Sequence, residues 1–560
     1  PRVPARSHPM RLVHLLAAAA LLACAPRQSP SPREPATPVV VGAARELSAD
    51  RQVHHVLARL AFGPRPGDVD RVRAMGVDRW IERQLHPERI ADPAGDAALA
   101  AYETIAMSGG ALLERFPPPQ RLRARLARSA APTAGDSLRL REARRAAARV
   151  GDELQSARVA RAVVSERQLL EVMTDFWENH FNVHAAKGPQ LRYYLPAYDR
   201  TIRAHALGRF RDLLGAVAHS PAMLIYLDNW QSRADSGAPT ITGRRRRMAG
   251  TPRRGLNENY ARELLELHTL GVDGGYTQDD VVAVARAFTG WSVRPAPAGG
   301  GFVFLPGAHD GGEKRVLGER LPAGRGEADG EAVLDLLTRH PSTARHVAEK
   351  LARRFVSDTP PPALVERAAE SFRRTDGDIR AVVRTIVTSP EMFAASAYRG
   401  KVKTPFEVVV SAARALGAPA DPTPRTARFV ARLGQPLWGH QAPDGWPETG
   451  EAWMNAGAIL ARINFGLDAG AGRLPGASLS AWPDAARLAR GTREEQVDGV
   501  VAALLSGAAS PETRAVLLSG AHPLLARERD AGMPASRPPA RAGLAQVVGL
   551  ALGSPEFQRR

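Results

Sequence analysis

Apolar residues recur every three to four positions along most of this chain, which is the period of an amphipathic α-helix. A long segment rich in arginine, alanine and glutamate, 134–177, is predicted as one helix with charge pairs on its exposed face. The pattern therefore indicates a mainly α fold, a multi-helix globular body. Its other predicted helices span 54–60, 66–75, 78–85, 119–130, 194–204, 210–220, 257–270, 278–289, 327–339, 342–355, 362–375, 379–388 and 405–416.

One segment, near 292–321, departs from the helical period. Here Gly299-Gly-Gly-Phe-Val-Phe-Leu and Lys314-Arg-Val-Leu-Gly alternate apolar and polar residues around glycines. Short alternating runs bounded by glycine are typical of β-strands joined by tight turns. The sequence predicts a small β-hairpin inserted at this point.

Polar side chains are unusually dense in the predicted helix 257–270. On a helix, Asn259, Glu263 and Glu266 share one stripe, beside an apolar stripe that includes Leu264. Gly271 is expected to end this helix, and Thr277 with Asp280 to begin the next as a capping box. The helix can thus pack in a core while its polar edge faces a cavity. Its polar residues are Asn257, Glu258, Asn259, Arg262, Glu263, Glu266 and His268.

Histidines with metal-ligand spacing form a second candidate group. His180 and His184 are four residues apart, so a helix that continued through both would place them on one face. With His268 and the carboxylates of the polar helix they would make a mixed set of the kind that holds zinc, iron or manganese. The alternative is ordinary: His180 donates to a backbone carbonyl, and Arg262 forms i,i+4 salt bridges with Glu258 and Glu266.

Three further sets of polar residues have two interpretations each. Asp228 and Asn229 follow an apolar helix and either cap it or project into the same cavity as Glu258. The second set is His309, Asp310 and Lys314. Its members either act as base, orienting carboxylate or anion anchor, or they belong to a plain turn. Lys401 and Lys403 either contact an anionic ligand or lie at a helix start.

The first 47 residues predict export. Met10-Arg11, the apolar run 12–22 and Leu21-Leu-Ala-Cys24 are typical of a signal peptide, residues 1–24, with a lipoprotein-type cysteine. Residues 25–47 are a flexible linker by composition. The expected location is the cell envelope, with a lipid anchor as the only membrane attachment. The alternative is a secretory signal that happens to contain a cysteine.

Composition narrows the function classes. The net charge is +18, almost all of it from arginine, but the arginines alternate with Asp and Glu, which favours a solvated surface over a nucleic-acid footprint. Cys24 is the only cysteine, so internal disulfides and thiol catalysis are excluded. The sequence contains no Gly-x-Ser-x-Gly elbow, phosphate-binding loop, dinucleotide fingerprint or haem-attachment motif, which argues against common cofactor enzymes.

The polar helix also carries a resemblance. Asn257-Glu-Asn-Tyr-Ala-Arg-Glu-Leu-Leu-Glu-Leu-His-Thr-Leu-Gly-Val272, with Phe176-Trp-Glu-Asn-His-Phe-Asn182 and Lys401-Val-Lys-Thr-Pro405, resembles bacterial domain-of-unknown-function family 1800. The resemblance covers roughly 50–465, and it implies a fold and an exported location without a reaction. The chain is divided on this basis into a family-like helical domain, 48–470, and a C-terminal helical subdomain, 471–560. Family members commonly occur with a secreted protein resembling a sulfatase, which implies such a partner.

Two functional hypotheses follow. The first is a hydrolytic or metal-assisted enzyme acting on an extracellular polymer or its anionic groups. Its candidate catalytic residues are Glu258, Asn259, Arg262, Glu263, Glu266, Asp228 and Asn229, and a divalent metal would be held by His180, His184 and His268. The alternative is a non-catalytic lipoprotein that binds an anionic polysaccharide or a sulfatase-like partner protein, with the same residues forming a buried network.

Overall fold

Helices form most of the described chain, which confirms the mainly α prediction. The computed structural model describes residues 45–128, 133–244, 255–295, 298–482, 484–524 and 543–560. Residues 44–560 form one compact unit. The predicted signal peptide, 1–24, lies outside the described residues. Of the predicted linker, 25–47, the structure describes residues 45–47.

The described residues contain twenty-four α-helices. The first twelve are α1 Ala49–Arg59, α2 Asp68–Met75, α3 Val77–Leu85, α4 Pro93–Leu99, α5 Gly109–Arg115, α6 Pro119–Leu126, α7 Ala134–Val164, α8 Gln168–His180, α9 Leu195–His205, α10 Phe210–Ala218, α11 Pro221–Tyr226 and α12 Asn259–Leu265. The others are α13 Gln278–Ala287, α14 Ala328–Arg339, α15 Pro341–Phe355, α16 Pro362–Arg374, α17 Ile379–Val387, α18 Pro405–Ala415, α19 Arg425–Arg432, α20 Ala456–Gly470, α21 Ala485–Arg490, α22 Arg493–Leu504, α23 Pro511–Ser519 and α24 Leu544–Leu552. None of these described helices is long and apolar enough to cross a membrane.

Six short strands of the described chain pair as three antiparallel hairpins. They are β1 Pro239–Thr240, β2 Gly243–Arg244, β3 Trp291–Val293, β4 Phe302–Phe304, β5 Lys314–Val316 and β6 Glu319–Leu321. The predicted insertion near 292–321 is confirmed, and it contains two separate hairpins, β3–β4 with Trp291 opposite Phe304, and β5–β6 with Lys314 opposite Leu321.

The single helix predicted over 134–177 is wrong, because the chain forms α7 and α8 with a break between them. At Ser165 the backbone is extended, with φ −60° and ψ 139°. The Ser165 hydroxyl donates to the Asp92 carboxylate at 2.6 Å, and the Glu166 N–H donates to the same carboxylate at 3.0 Å. These bonds to a distant residue replace helical hydrogen bonds, so α7 ends here and α8 begins as a separate helix.

Aromatic side chains at the C-terminal end of α8 anchor the core that supports the candidate site. Trp177 and Phe181 are fully buried, with ring centroids 5.8 Å apart, and the Trp177 indole donates to the Ala206 carbonyl at 3.0 Å. Because these rings point inward, the polar residues between and beyond them, Asn179 and Asn182, reach a neighbouring loop.

The C-terminal helices are joined to the rest of the unit by close helix contact. At Gly470 of α20, a Cβ would lie 2.4 Å from the Ala545 carbonyl oxygen, and at Gly466 it would lie 2.5 Å from the Gly549 carbonyl oxygen. Only glycine permits backbones to approach this closely. The boundary at residue 470 stays a prediction, since helices on both sides of it belong to one compact unit.

Candidate acid–base site beside the polar helix

The start of α12 is pinned to the end of α11 by two asparagines. Asn257 donates from its side-chain amide to the Asp228 carbonyl, and Asn259 donates to the Leu227 carbonyl, both at 3.3 Å. The Asn257 side-chain oxygen also accepts from the Asn259 N–H at 2.9 Å, which satisfies one free donor at the helix start. These contacts fix the direction in which the helix presents its acidic residues.

The polar helix changes its winding at Glu266. From Glu266 to Leu270 the chain forms a π-helical turn, and the Thr269 hydroxyl donates to the Leu264 carbonyl at 2.6 Å. Gly271 then ends the helix with φ +83°, as predicted, and Thr277 with Asp280 forms the predicted capping box of α13. Single π-turns within helices are frequent at functional sites.

Glu263 and Glu266 form the acidic centre of the site. Both are partly buried, and within the described residues neither is within 4.0 Å of a basic side chain. Burial, the Glu266 carboxylate and the Asp444 carboxylate raise the pKa of Glu263, with Arg262 acting in the opposite direction. The Tyr276 hydroxyl donates to Glu266 at 3.2 Å. The two carboxyl groups therefore have different environments.

A loop between α19 and α20, residues 437–453, brings further polar groups to these carboxylates. His440 and Asp444 are joined by a hydrogen bond of 3.0 Å, and the His440 ring lies 4.6 Å from that of Trp446. The Tyr226 hydroxyl donates to the Gln441 carbonyl at 2.8 Å. Burial and the negative charges of Asp444 and Glu263 raise the pKa of Tyr226.

The end of α8 holds this loop in place. Asn179 donates to the Trp446 carbonyl at 2.9 Å and accepts from the Trp446 N–H at 2.7 Å. Asn182 donates to the Ala442 carbonyl at 2.6 Å. Gly445 has φ +78°, and a Cβ there would lie 2.3 Å from the Asn179 carbonyl oxygen, so only glycine allows the contact. The Phe176–Asn182 motif thus positions the loop.

A small cavity of about 50 Å³ lies behind the loop. Its aromatic lining includes Trp438, Trp446 and Trp453. Its charged lining is internally paired: Arg158 contacts Asp175 at 2.5 Å and Glu178 at 2.7 Å. This volume corresponds to the space of roughly one or two water molecules, so the cavity supports the loop and is too small to admit a sugar or a nucleotide.

Comparison with known proteins identifies the family. The family model described as "Protein of unknown function (DUF1800)" matches residues 55–559. The chain belongs to this family. The match extends through the C-terminal helices, beyond the range of about 50–465 over which the motifs are recognised. No curated protein and no solved structure matches the chain significantly.

Three of the candidate residues in this DUF1800 chain have contacts that stabilise the fold. Asn229 is fully buried and donates to the Phe288 and Trp291 carbonyls at 3.1 and 3.2 Å. Asn259 holds α11, and Asp228 forms a salt bridge of 2.7 Å with Lys187. Asp228 has φ +61°, a left-handed conformation that turns the chain after α11.

Glu258 and Arg262 form a local surface cluster. Arg262 contacts Glu258 at 3.3 Å, and Gln278 bridges them, donating to Glu258 at 2.8 Å and accepting from Arg262 at 3.1 Å. Both side chains are about two-fifths exposed. Of the predicted catalytic residues, Glu263 and Glu266 are therefore the ones whose carboxylates are left without a cationic partner in the described chain.

The predicted metal-binding histidines do not share a helix face. Helix α8 ends at His180, so His184 lies beyond it and the condition for an i,i+4 pair fails. The His180 ring packs edge-on against Trp177 and Phe181, at 5.3 and 4.5 Å, and donates to the His268 carbonyl at 3.1 Å. Within the described residues, no group of three or more His, Cys, Asp or Glu side chains has the geometry to hold a metal ion.

The hairpin set His309, Asp310 and Lys314 is an interior network. Lys314 contacts Asp329 at 2.7 Å and donates to the Asp310 carbonyl at 2.6 Å, and His309 contacts Asp329 at 3.3 Å. Arg286 contacts the Asp310 carboxylate at 2.8 Å. All these groups have partners within the fold, so the network joins the two hairpins to α13 and α14.

Sequence reasoning missed Tyr226, His440, Asp444 and Trp446 as members of the site. A compositional signal exists, because residues 438–453 contain three of the eight tryptophans of the chain together with glycines and prolines. Tryptophans concentrated in a loop are more typical of a binding or structural role than of a plain connection. Nothing in the local sequence pairs this loop with the polar helix.

The structural assignment of Asn229 predicts a stability loss. Asn229→Ala removes both hydrogen bonds to buried carbonyls and should lower the free energy of unfolding by about 2 kcal/mol. The matched change Asp228→Asn removes the charge from an ion pair that is more than a third exposed. It should lower the free energy of unfolding by less than about 1 kcal/mol. Urea denaturation followed by circular dichroism measures both. Equal losses in the two variants would contradict the assignment.

Proposed function

We propose that this protein is a hydrolase that cleaves glycosidic bonds of an extracellular polysaccharide by general acid–base catalysis. The observation that carries the proposal is Glu263, a partly buried carboxyl whose pKa is raised by burial and by the negative charges of Glu266 and Asp444, and which has no cationic partner within 4.0 Å among the described residues. Carboxyl groups whose pKa is perturbed by burial and by neighbouring charges are candidates for catalysis.

The roles follow from the different environments of the carboxyl groups. Glu263 is the acid, since its raised pKa favours the protonated form that donates to a leaving oxygen. Asp444, hydrogen-bonded to His440, or Glu266, which accepts from Tyr276, is the partner carboxylate that activates water or stabilises positive charge. Two carboxyl groups in these roles are the usual requirement of glycoside hydrolysis.

The aromatic residues around the carboxylates support a sugar as substrate. Tyr276 donates to Glu266, Tyr226 donates to the Gln441 carbonyl, and the Trp446 ring lies against that of His440. Each of the three residues combines an apolar ring face with a polar edge. Such rings bind the apolar faces of sugars while their polar atoms contact hydroxyl groups. The three carboxylates make a neutral polysaccharide a better substrate than a sulfated one. The predicted export of the chain supports an extracellular substrate.

The test is hydrolysis by the purified protein of a panel of neutral and acidic polysaccharides, followed as release of reducing ends. Glu263→Gln should lower the rate by about 10²–10⁴-fold, the contribution of general acid catalysis, while the melting temperature stays unchanged. Activity of the parent protein should fall as the pH rises through the raised pKa of Glu263, because the acidic form is lost. Glu370→Gln, an exposed carboxylate on α16 paired with Arg373, is the matched control and should retain full activity.

Two results would contradict the proposal. One is an unchanged rate in Glu263→Gln. The other is binding of a polysaccharide without turnover, which would favour the non-catalytic alternative. A sharp fall in melting temperature of Glu263→Gln would instead identify Glu263 as part of a structural network.

A further inference from the structure

A second cavity, of about 60 Å³, lies between α1, the Lys401–Pro405 segment and the C-terminal residues. It shares no residue with the acid–base site. Its lining includes His54, His55, Arg399, Lys403 and Ser411, together with the chain near Arg560. The volume corresponds to roughly two water molecules, which is room for a small ion and not for a sugar ring.

Lys403 is the central charge of this cavity. The residue is 8 % exposed, and its ammonium donates to the Ser411 hydroxyl at 3.1 Å and lies 3.9 Å from the centre of the Phe557 ring. No carboxylate lies within 4.0 Å of it among the described residues. Burial lowers the pKa of Lys403 to about 7, against the attraction of Glu407.

Other cationic groups around the cavity also lack acidic partners. Arg59, one helical turn after His55 on α1, is fully buried; its guanidinium donates to the Ala397 carbonyl, and its Nε and Nη1 have no hydrogen-bond partner. Among the described residues, Arg399 donates to the Ala508 and Leu505 carbonyls and has no carboxylate within 4.0 Å. The unpartnered His55 Nδ1 is a further buried polar atom.

The carboxylates nearby are occupied by other groups. Glu407 contacts Arg354 at 2.9 Å and Arg560 at 3.1 Å. Glu556, the acidic residue in the cavity lining, accepts from the Ser510 N–H at 2.8 Å and from the Thr513 hydroxyl at 2.9 Å. Buried positive charge therefore exceeds negative charge here, and uncompensated buried charge is strongly unfavourable unless an anion is bound.

We propose that this cavity binds one small oxyanion, phosphate or sulfate, with Lys403, Ser411 and Arg399 as its principal ligands. Charge-assisted hydrogen bonds from an ammonium and a guanidinium to oxyanion oxygens are short and strong. The anion would join α1 to the Lys401–Pro405 segment and to the C-terminal residues.

The test is isothermal titration of the full chain, prepared in buffer free of both anions, with sodium phosphate and with sodium sulfate. Sodium chloride at equal ionic strength is the reference, because sulfate and phosphate also stabilise proteins non-specifically at high concentration. One saturable site per chain is expected. Lys403→Met should weaken its affinity at least about tenfold, as expected for loss of a charge-assisted bond.

Matched variants keep the test decisive. Lys350→Met removes an ammonium that is paired with Glu448 at 3.2 Å and should leave the affinity unchanged. Arg399→Met is the second variant if Lys403→Met fails to fold, and it too should weaken binding. Saturation by only one of the two salts would identify the anion. No saturable binding, equal binding of chloride, or unchanged affinity in Lys403→Met and Arg399→Met would overturn the proposal.

Discussion

Arg161→Met is expected to lower the free energy of unfolding by about 3–5 kcal/mol, the usual consequence of removing one partner of a buried ion pair. The Arg161 guanidinium is buried and contacts the Asp199 carboxylate and, at 3.4 Å, that of Glu171. Without it, Asp199 is left buried next to Glu178. Urea denaturation at neutral pH measures the loss.

The reason for the large effect is that two buried carboxyl groups, Glu178 and Asp199, lie side by side and depend on nearby arginines. Burial and the nearby Asp199 carboxylate raise the pKa of Glu178, against the attraction of Arg158. Burial also opposes ionisation of Asp199, but Arg161 outweighs it and keeps the pKa of Asp199 below its usual value. Removing Arg161 takes away the charge that stabilises the ionised member.

A surface arginine provides the control. Arg384 contacts Glu82 at 2.7 Å, but both side chains are 40 % exposed or more, so Arg384→Met should change stability by less than about 1 kcal/mol. Similar losses in Arg161→Met and Arg384→Met would show that the buried network contributes no more than a surface pair.

Acid destabilisation beginning near pH 6.5 is the second large expected effect. Burial, followed by the charges of Lys350 and His346, lowers the pKa of His268 to about 3, and burial lowers that of His55 to about 3 and that of His346 to about 4. The pKa of His180 is lowered well below its usual value by the same cause. In the unfolded chain these imidazoles bind protons below about pH 6.5, and in the folded chain they do not.

The sign follows from proton binding. Because the unfolded state binds more protons than the folded state between pH 6.5 and the lowered values, stability is lost as the pH falls through that window. Each such histidine contributes a slope of about 1.4 kcal/mol per pH unit. Glu178 and Glu263 act in the opposite direction, since their raised pKa values make the folded state bind protons more readily. The contribution of one histidine is obtained by comparing the pH dependence of the free energy of unfolding in the parent with that in a variant that lacks this histidine.

His268→Phe makes that comparison. The new ring keeps the aromatic contact with Phe181, whose centroid lies 5.1 Å from that of His268, and cannot titrate. Between pH 6.5 and 4.5 the stability curve of the variant should be flatter by about 1.4 kcal/mol per pH unit. Above pH 7.5 the two curves should be parallel, which serves as the internal control. Parallel curves down to pH 4.5 would contradict the expected neutral, buried state of His268.

Much of the local structure follows from the sequence for simple physical reasons. The end of the polar helix at Gly271 and the capping box of Thr277 and Asp280 were predictable because both depend on neighbouring residues. The hairpins near 292–321 were predictable from glycine-bounded alternation. The break at Ser165 was not, because its hydrogen bonds go to Asp92, more than seventy residues earlier.

The candidate site was predictable only in part. Glu263 and Glu266 stand out in the sequence as a polar stripe on an otherwise apolar helix. The i,i+4 pair of Arg262 with Glu258 was predicted and is confirmed. The pair expected between Arg262 and Glu266 does not form within the described residues, and the contacts of Gln278 with Glu258 and Arg262 depend on how α13 packs beside α12.

The sequence by itself determined the helical fold, the family and the acidic residues of α12, because periodicity, caps and long motifs are properties of neighbouring positions. The tertiary structure alone decided which groups surround Glu263. Asn179 of α8 and Asn182, just after this helix, hold the loop that carries His440, Asp444 and Trp446, more than 170 residues beyond α12. It also decided which charges are compensated, since burial and the distance between partners exist only once the chain is folded.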